Sequence, residues 1–566
     1  MFNKLFPINS KRRKFLKRMF PRISQSINRE EIAYRRWRKC NLPSAKQLEE
    51  QRTTKFDYMP KISIIVPVYN TPEKFFEELV NCMKKQTYSN WELCLADGSP
   101  TPLEFRDKYM AGDERIKYKT ISENKGISGN TNEALSLATG DYIGLLDHDD
   151  YLPEYSLFEV VKTINENRDV EFIYTDEDKF EEVGKDHYGV FFKPDFSPYT
   201  LNSANYICHF SIFKKELMDK LGGFKSEYDG SQDFDIVSRA TALTDKIVHI
   251  PNVLYNWRVH QNSTASGGDN VKPYAYEIAK SVIRDHLKRR NISAEVVDGD
   301  ILGSYRVVYK PNGNPLVSLI FDTNNCTQEE FDKLVEIIES LNYKNVEYII
   351  VSDSKYNFGK EAIYVDSYQK AIEVSKGEYF FIIDEKLFKI ENKNIFEDLI
   401  GICQNSDVAV VGTKLYNEND LVLHNGIILG MCGIGGYVFR GIPKFYDVYM
   451  ARLKIIHNVS AVCLKYSLVK KEEYLNANGF EYTDFSLAQY IDFCLKCINN
   501  KKNVVLNPLV EIGIKDLIDA ENTADEVANI KAKWQKDILN DRYYNKNLKR
   551  DSLNISVKDS KVEESV

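Results

Sequence analysis

The chain has 566 residues, 43% hydrophobic and 28% charged, the composition of a soluble globular protein too long for a single core. No apolar stretch is long enough to span a bilayer, and no apolar core follows the basic start, so neither a membrane span nor a secretory signal is expected. The net charge of −7 is uneven: residues 1–40 hold thirteen Lys/Arg against two Glu, or +11, which leaves −18 for the rest and argues against nucleic acid as a partner.

Residues 1–60 read as a helical segment. In "SKRRKFLKRMFPR" and "RRWRK" the basic residues alternate with Phe2, Phe6, Phe15, Leu16, Phe20 and Trp37. This pattern suits peripheral docking of residues 1–40 on an anionic membrane face. The plainer reading is a helix packed on its own domain. From Lys61 the rhythm is strand, helix, strand, helix: "ISIIVPVYN", then "EKFFEELVNCMKKQ" with Phe75, Phe76, Leu79, Val80 and Met83 at helical spacing, then "WELCLADGS", "NTNEALSLA" and "DYIGLLDHDD". Such alternation predicts a mostly parallel sheet between helices. Ligands of open α/β sheets bind beyond the carboxyl ends of the strands. Here those ends are Tyr69-Asn70, Asp97 and Asp147 to Asp150. Asp147-His148-Asp149 has the D-x-D form, and a hard cation such as Mg²⁺ or Mn²⁺ bridging it to phosphates would relieve the repulsion between the aspartates.

Residues 291–315 read as a linker, after which the opening repeats. "LVSLIFDTNNCTQEEFDKLVEIIESLNYKNVEYIIVSDS" (316–354) tracks residues 61–99, "SKGEYFFIIDEKLF" tracks "ATGDYIGLLDHDDYL", and "GFEYTDFSLAQYIDFCLK" tracks "GFKSEYDGSQDFDIVSR". Two copies of one α/β fold are expected, at 61–290 and 316–540, with a loose polar tail over 541–566. Of ten cysteines only Cys494 and Cys497 form a CxxC. It lies in a helical stretch with no second CxxC or His pair; zinc or redox chemistry is one reading, and two semi-buried thiols one turn apart, in a reducing cytosol, is the plainer one.

The ordered motifs "KISIIVPVYNTPE", "NKGISGNTNEAL", "TGDYIGLLDHDD" and "GSQDFDIVSRA" resemble family-2 glycosyltransferases of the GT-A fold. "YTDEDKF", "FKPDFSPYTLNSANYICH" and "LYNWRVHQNSTA" resemble bacterial surface-polysaccharide enzymes of rhamnosyltransferase type. The resemblance spans about residues 33–312. It implies a cytoplasmic, inverting, metal-dependent transferase that uses a UDP- or dTDP-sugar and Mn²⁺ or Mg²⁺. The acceptor would be a lipid-linked or protein-linked glycan. Pro67, Val68, Tyr69 and Asn70 would line the nucleotide, and Asp97 would accept a hydrogen bond from its base. Gly126 and Asn130 would lie against it, and Asp147 and His148 would face the sugar diphosphate. Asp149 and His260 would hold the metal. Asp233 would be the catalytic base, with Asp235 its nearest impostor. Asp176-Glu177-Asp178 would border the acceptor cleft or lie in an exposed loop, Trp257 would stack on a sugar or sit in the core, and His209 reads as structural.

In the second copy Asp384-Glu385-Lys386 replaces D-x-D and puts Lys386 where a metal would sit, while Tyr490 stands at the base position. That copy reads as degenerate, against a metal-independent transferase using Asp384 and Asp492. Two other function classes remain open. One is a carbohydrate-binding scaffold of two inactive domains. The other is a nucleotidyltransferase, which would want a Gly-rich basic loop where "PVYNTPE" stands.

Overall fold

The computed structural model describes residues 21–260, 273–323, 326–352, 356–517, 519–551 and 555–560. The chain divides into two units. The first comprises residues up to Phe196 with Asn205–His286 and a short return segment from Ser556, and the second Ser197–Ala204 and Leu287–Ile555.

Unit one is an eight-stranded sheet: β1 (Ile62–Val68), β2 (Trp91–Asp97), β3 (Ile116–Thr120), β4 (Tyr142–Leu145), β5 (Phe172–Phe180), β6 (Tyr188–Phe191), β7 (Ser211–Lys214) and β8 (Ile247–Arg258). The order is β3-β2-β1-β4-β7-β5-β6, with β8 also on β5. The first four strands are mutually parallel, β7 is antiparallel to both neighbours, and β8 is parallel to β5. Alternate β1 residues Ile62, Ile64, Val66 and Val68 are fully buried, and they share a core with Phe76, Leu79, Val80 and Met83 of α2 (Glu73–Lys84), the helical face expected from their spacing.

The N-terminal helix α1 (Pro21–Asn41) is anchored to the same unit. Tyr34 and Trp37 are both buried, and Trp37 meets Phe192 edge-on at 5.0 Å. The Tyr34 hydroxyl and the Arg38 guanidinium each donate to Asp178 of β5 at 2.6 Å. This corrects the membrane-facing assignment of Trp37: a buried carboxylate on β5 needs a cation, and α1 delivers it along with two aromatic rings. Phe2, Phe6, Phe15, Leu16 and Phe20 lie outside the described residues. Arg38→Met is expected to destabilise unit one by about 3 kcal/mol, the low end for breaking a buried pair, because Tyr34 and Asn256 still donate to Asp178. Urea unfolding followed by tryptophan fluorescence checks this.

Unit two repeats the topology. Its sheet runs Ile363–Val365, Val346–Val351, Val317–Asp322, Tyr379–Asp384, Leu468–Lys470, Val408–Tyr416, Asn503–Ile514 and Leu387–Ile390. The parallel pair Val408–Tyr416 with Asn503–Ile514 mirrors β5 with β8. Small clamps repeat as well. In unit one, Ser63 Oγ donates to Glu92 at 2.6 Å and receives Gly140 N at 2.8 Å. In unit two, Ser318 Oγ donates to Glu347 at 2.6 Å and receives Gly377 N at 3.0 Å. A Cβ on either glycine would stand 2.6 or 2.5 Å from the serine oxygen, so neither position admits a side chain.

Two boundaries differ from the sequence reading. Within 291–315, Ala294–Asp298 and Tyr305–Tyr309 form an antiparallel pair inside unit two with Val296, Val307 and Tyr309 buried, so most of this stretch is structural rather than a linker. The start of the expected polar tail is also packed. Asp541 accepts from Leu429 N and Ser460 Oγ, and Tyr543, Tyr544 and Leu548 are buried, because aromatic and apolar residues spaced among the polar ones find the core. Cys494 and Cys497 lie on one buried helix, and burial pushes the Cys494 thiol up to about 12, which leaves it inert. Among the described residues, no helix is long and apolar enough to cross a membrane.

Candidate active site

The site gathers at the carboxyl ends of β1, β2 and β4, joined by the end of β8 and a helix N-terminus. Val68 is paired in register with Asp97. Beyond Val68 the chain turns at Asn70, whose φ of 47° is left-handed and whose N–H donates to Ser99 Oγ at 2.8 Å. Tyr69 is 42% exposed on the lip of this turn. Asp97 is fully buried: its Oδ1 accepts from Ser99 N at 2.9 Å and its Oδ2 from the Tyr118 hydroxyl. Asp97 therefore shapes the turn and orients Tyr118 of β3. Gly126 opens α3 (Gly126–Leu135) at φ 76°, where a Cβ would meet Asp229 at 2.5 Å. Asn130 is buried, with Oδ1 accepting from Lys125 N and Nδ2 donating to Asn124, so its amide fastens the loop that enters α3.

After β4 the acids part company. Asp150 is buried and serves the fold, accepting from Arg258 N at 2.7 Å and from the Tyr255 hydroxyl at 2.5 Å. Burial, together with the charges of Asp149 and Asp147, pushes its carboxyl well above the ordinary range. Asp149 Oδ2 lies 2.7 Å from His260 Nε2, beyond the end of β8. Asp147 is raised by burial and by Asp149 and Asp233, against the pull of His209 and His148. His148 is half-buried beside them.

Two donor groupings share this floor. The pair expected to hold metal, Asp149 and His260, is in contact. A second grouping brings Asp147, Asp150 and His209 within 4.8 Å, although both Asp150 oxygens already have partners. A carboxylate and imidazole donor set fits Mn²⁺ better than Mg²⁺, which prefers oxygen ligands alone. His209 stacks on Tyr255 at 4.6 Å and meets the half-buried Trp257 edge-on at 5.7 Å. It thus packs on the core aromatics and also lies within 4.8 Å of Asp147 and Asp150.

Asp233 sits in the first turn of α4 (Gln232–Leu243), where the helix dipole favours an anion. Its Oδ2 accepts from Asn205 Nδ2 at 3.0 Å. Asp235, two residues on, is buried and pairs with Arg239 through contacts of 2.6 and 2.9 Å. The periodicity of α4 thus separates the base candidate from its impostor.

Asp176, Glu177 and Asp178 neither border an open cleft nor lie in an exposed loop; all three are buried in β5. Asp176 holds His249, and Glu177 holds the fully buried Lys193 at 3.0 Å. Lys193 also donates to the carbonyls of Ile207 and His209, which fixes the loop carrying Asn205 and His209.

Arg258 is a further residue that the sequence reading passed over, although it stands inside the quoted "WRVH". Its Nε donates to the Asp149 carbonyl, its guanidinium pairs with Glu78 at 2.7 Å, and it lies between the rings of Phe75 and Phe180 at 4.6 and 4.4 Å. It ties β8 to the D-x-D turn.

In unit two the matching strand ends are closed. Asp322 and Asp384 are paired in register, and Lys465 Nζ bridges them at 2.9 and 3.1 Å. The Tyr466 hydroxyl and Lys386 N also donate to Asp384. The internal cation is therefore Lys465 and not Lys386, which contributes only its backbone. Tyr490 is buried, and Asp492 is bound by Lys496, Lys533 and Trp534.

Residues 63–222 match the family described as Glycosyl transferase family 2. The chain is 31% identical over 555 residues to the uncharacterized protein y4gI of Sinorhizobium fredii, covering 92% of this chain and 61% of that protein. It is 26% identical over 437 residues to the O-antigen biosynthesis protein RfbC of Myxococcus xanthus, covering 73% and 34%. The chain thus spans less than two thirds of either relative. Among solved structures, S. aureus TarS 1-349 in complex with UDP-GlcNAc aligns with 39% of this chain and 65% of that one, at 21% identity and a TM-score of 0.33.

Proposed function

We propose that unit one, whose residues 63–222 match the family described as Glycosyl transferase family 2, is a transferase of the GT-A fold that moves a sugar, with inversion, from a nucleoside-diphosphate sugar to a bacterial surface glycan. The observation that carries the reading is Asp233. Its Oδ2 is held by Asn205, its Oδ1 has no hydrogen-bond partner among the described residues, and its charge is felt at Asp147. A carboxylate so placed takes the proton of an acceptor hydroxyl as that oxygen attacks the anomeric carbon. One displacement with one base inverts the centre. Asp149 and His260 would hold a divalent cation, which when bound offsets charge on the leaving diphosphate. Asp147 and His148 border the sugar, and the Pro67–Asn70 turn and α3 flank the nucleotide. The similarity to an O-antigen biosynthesis protein supports a polysaccharide acceptor.

The test is nucleotide release from a panel of UDP-, dTDP- and GDP-sugars with Mn²⁺ or Mg²⁺. Release from one donor that is lost in Asp149→Ala and Asp233→Asn supports the reading. A chain that binds no nucleotide sugar by calorimetry refutes it.

Unit two, on this proposal, is non-catalytic. Lys465 supplies the positive charge that a metal would bring, and Lys386 stands where the second aspartate of D-x-D would be. Asp384→Asn is accordingly expected to leave turnover within about twofold, since its carboxylate is engaged within unit two by Lys465 and Tyr466. Mn²⁺ titration followed by electron paramagnetic resonance should give one donor-dependent ion per chain; two would refute the assignment.

A further inference from the structure

Unit one contains a second concavity, apart from the acidic cluster. It is a groove of about 800 Å³ between α1, the segment Tyr151–Tyr155 and the β5–β6 turn. Its walls include Leu42, Tyr151, Tyr155 and Phe180, and its mouth carries Ile32 and Val183, which are 49% and 42% exposed. Its rim is cationic. Arg35, Arg36, Lys39 and Lys185 line it against two acids, Glu154 and Asp186. Those acids are already engaged, Glu154 by Arg52 at 3.2 Å and Asp186 by Arg35 at 2.7 Å. Lys185 pairs with Glu182. Arg36 reaches Asp559 only at 3.9 Å, and Lys39 has no carboxylate within ion-pairing distance among the described residues. The groove therefore joins apolar walls to a surplus of positive charge at its mouth.

We infer that this groove docks an anionic phospholipid of a bilayer surface, with the headgroup phosphate at Arg36 and Lys39 and the first part of an acyl chain along Leu42, Tyr155 and Phe180. Three observations favour a lipid over other anions. The exposed apolar residues and the cations stand side by side, the arrangement of an interfacial helix at headgroup depth. A soluble phosphate or sulfate would pair with the rim but leave the apolar walls uncovered. The chain that leads into α1, residues 1–20, carries seven Lys/Arg and no acid in its sequence, whereas the remainder of the protein is acidic. The same membrane face that suits the groove would thus attract the segment before it. This inference goes beyond the transferase reading and does not depend on it.

The experiment uses the full chain and sedimentation with vesicles of phosphatidylcholine alone or with about a third phosphatidylglycerol, at two salt concentrations. Wild type should sediment with the anionic vesicles only, and less at high salt. Arg36→Ala with Lys39→Ala should weaken partitioning on the order of twentyfold, since each cation near the surface contributes about fivefold. Val183→Asp should weaken it without touching a cation. Circular dichroism and donor turnover without vesicles should be unchanged in both variants, which separates docking from folding and from the transferase reading. The inference is overturned if wild type ignores anionic vesicles, or if both variants bind as wild type does while removal of residues 1–20 abolishes binding. It is also overturned if inorganic phosphate releases the protein where chloride of equal ionic strength does not, because the groove would then be a soluble-anion site.

Discussion

Asp233→Asn is expected to lower sugar transfer by about 10²–10⁴-fold while leaving donor binding and thermal stability near wild type. The substitution keeps shape and loses only the base. The Asn205 amide, which donates to Oδ2, can still meet an amide oxygen at that position. Asp235→Asn should behave in the opposite way. Its carboxylate is buried against Arg239, which also ties down the carbonyls of Leu221 and Gly223. Losing that charge leaves a buried guanidinium short of its partner and costs about 3–5 kcal/mol. Single-turnover transfer and a thermal melt on both variants distinguish the roles. If Asp235→Asn removed turnover in a fully folded protein while Asp233→Asn did not, the base assignment would be wrong.

Arg258→Met is expected to destabilise unit one by about 3–5 kcal/mol and to remove turnover in whatever protein remains folded. The guanidinium is almost wholly buried. Its loss leaves Glu78 without a partner, empties the space between Phe75 and Phe180, and frees the Asp149 carbonyl. Arg258→Lys separates these effects. Lysine restores one charge but cannot reach Glu78 and the Asp149 carbonyl together, and it stacks less well on aromatic faces. That variant should recover most of the stability and little of the activity, with the loss appearing in metal affinity. Unfolding midpoints and Mn²⁺ titrations of both variants test the split. Full activity in Arg258→Met would show that the D-x-D turn holds its shape unaided.

Much of the fold was legible because it depends on periodicity. The buried face of α2, the polar strand ends and the repeat over 316–354 all follow from spacing alone. The candidate site was legible where a motif is local: Asp149 and His260 are in contact, and the charges of Asp149 and Asp233 are felt at Asp147. What stayed hidden was pairing across long sequence distance. Nothing local marks Arg38 as the partner of Asp178, Lys193 as the fastener of the 205–209 loop, or Lys465 as the cation of the second unit. Each is one polar residue whose run names no partner for it, and its meaning appears only when a distant carboxylate arrives beside it. Asp97 shows the reverse: its motif points to a ligand, yet both its oxygens are engaged by its own turn and by Tyr118.

The duplicated sheet, open at one set of strand ends and filled at the other, gives this protein an internal control for the energetic burden of a working site. In unit one Asp147, Asp149, Asp150 and Asp233 are kept close, and Asp147 and Asp150 are raised by their neighbours. In unit two the equivalent Asp384 is neutralised by Lys465 and capped by Tyr466. Filling a reactive cleft usually adds stability and removes function. Amide exchange measured on Tyr142–Leu145 and on Tyr379–Asp384 in the same sample would compare the two outcomes on matching strands, under identical solvent, temperature and ligand. Slower exchange in the filled copy would give, in one molecule, the stability that a cation and a tyrosine bring to a carboxylate at the end of this strand.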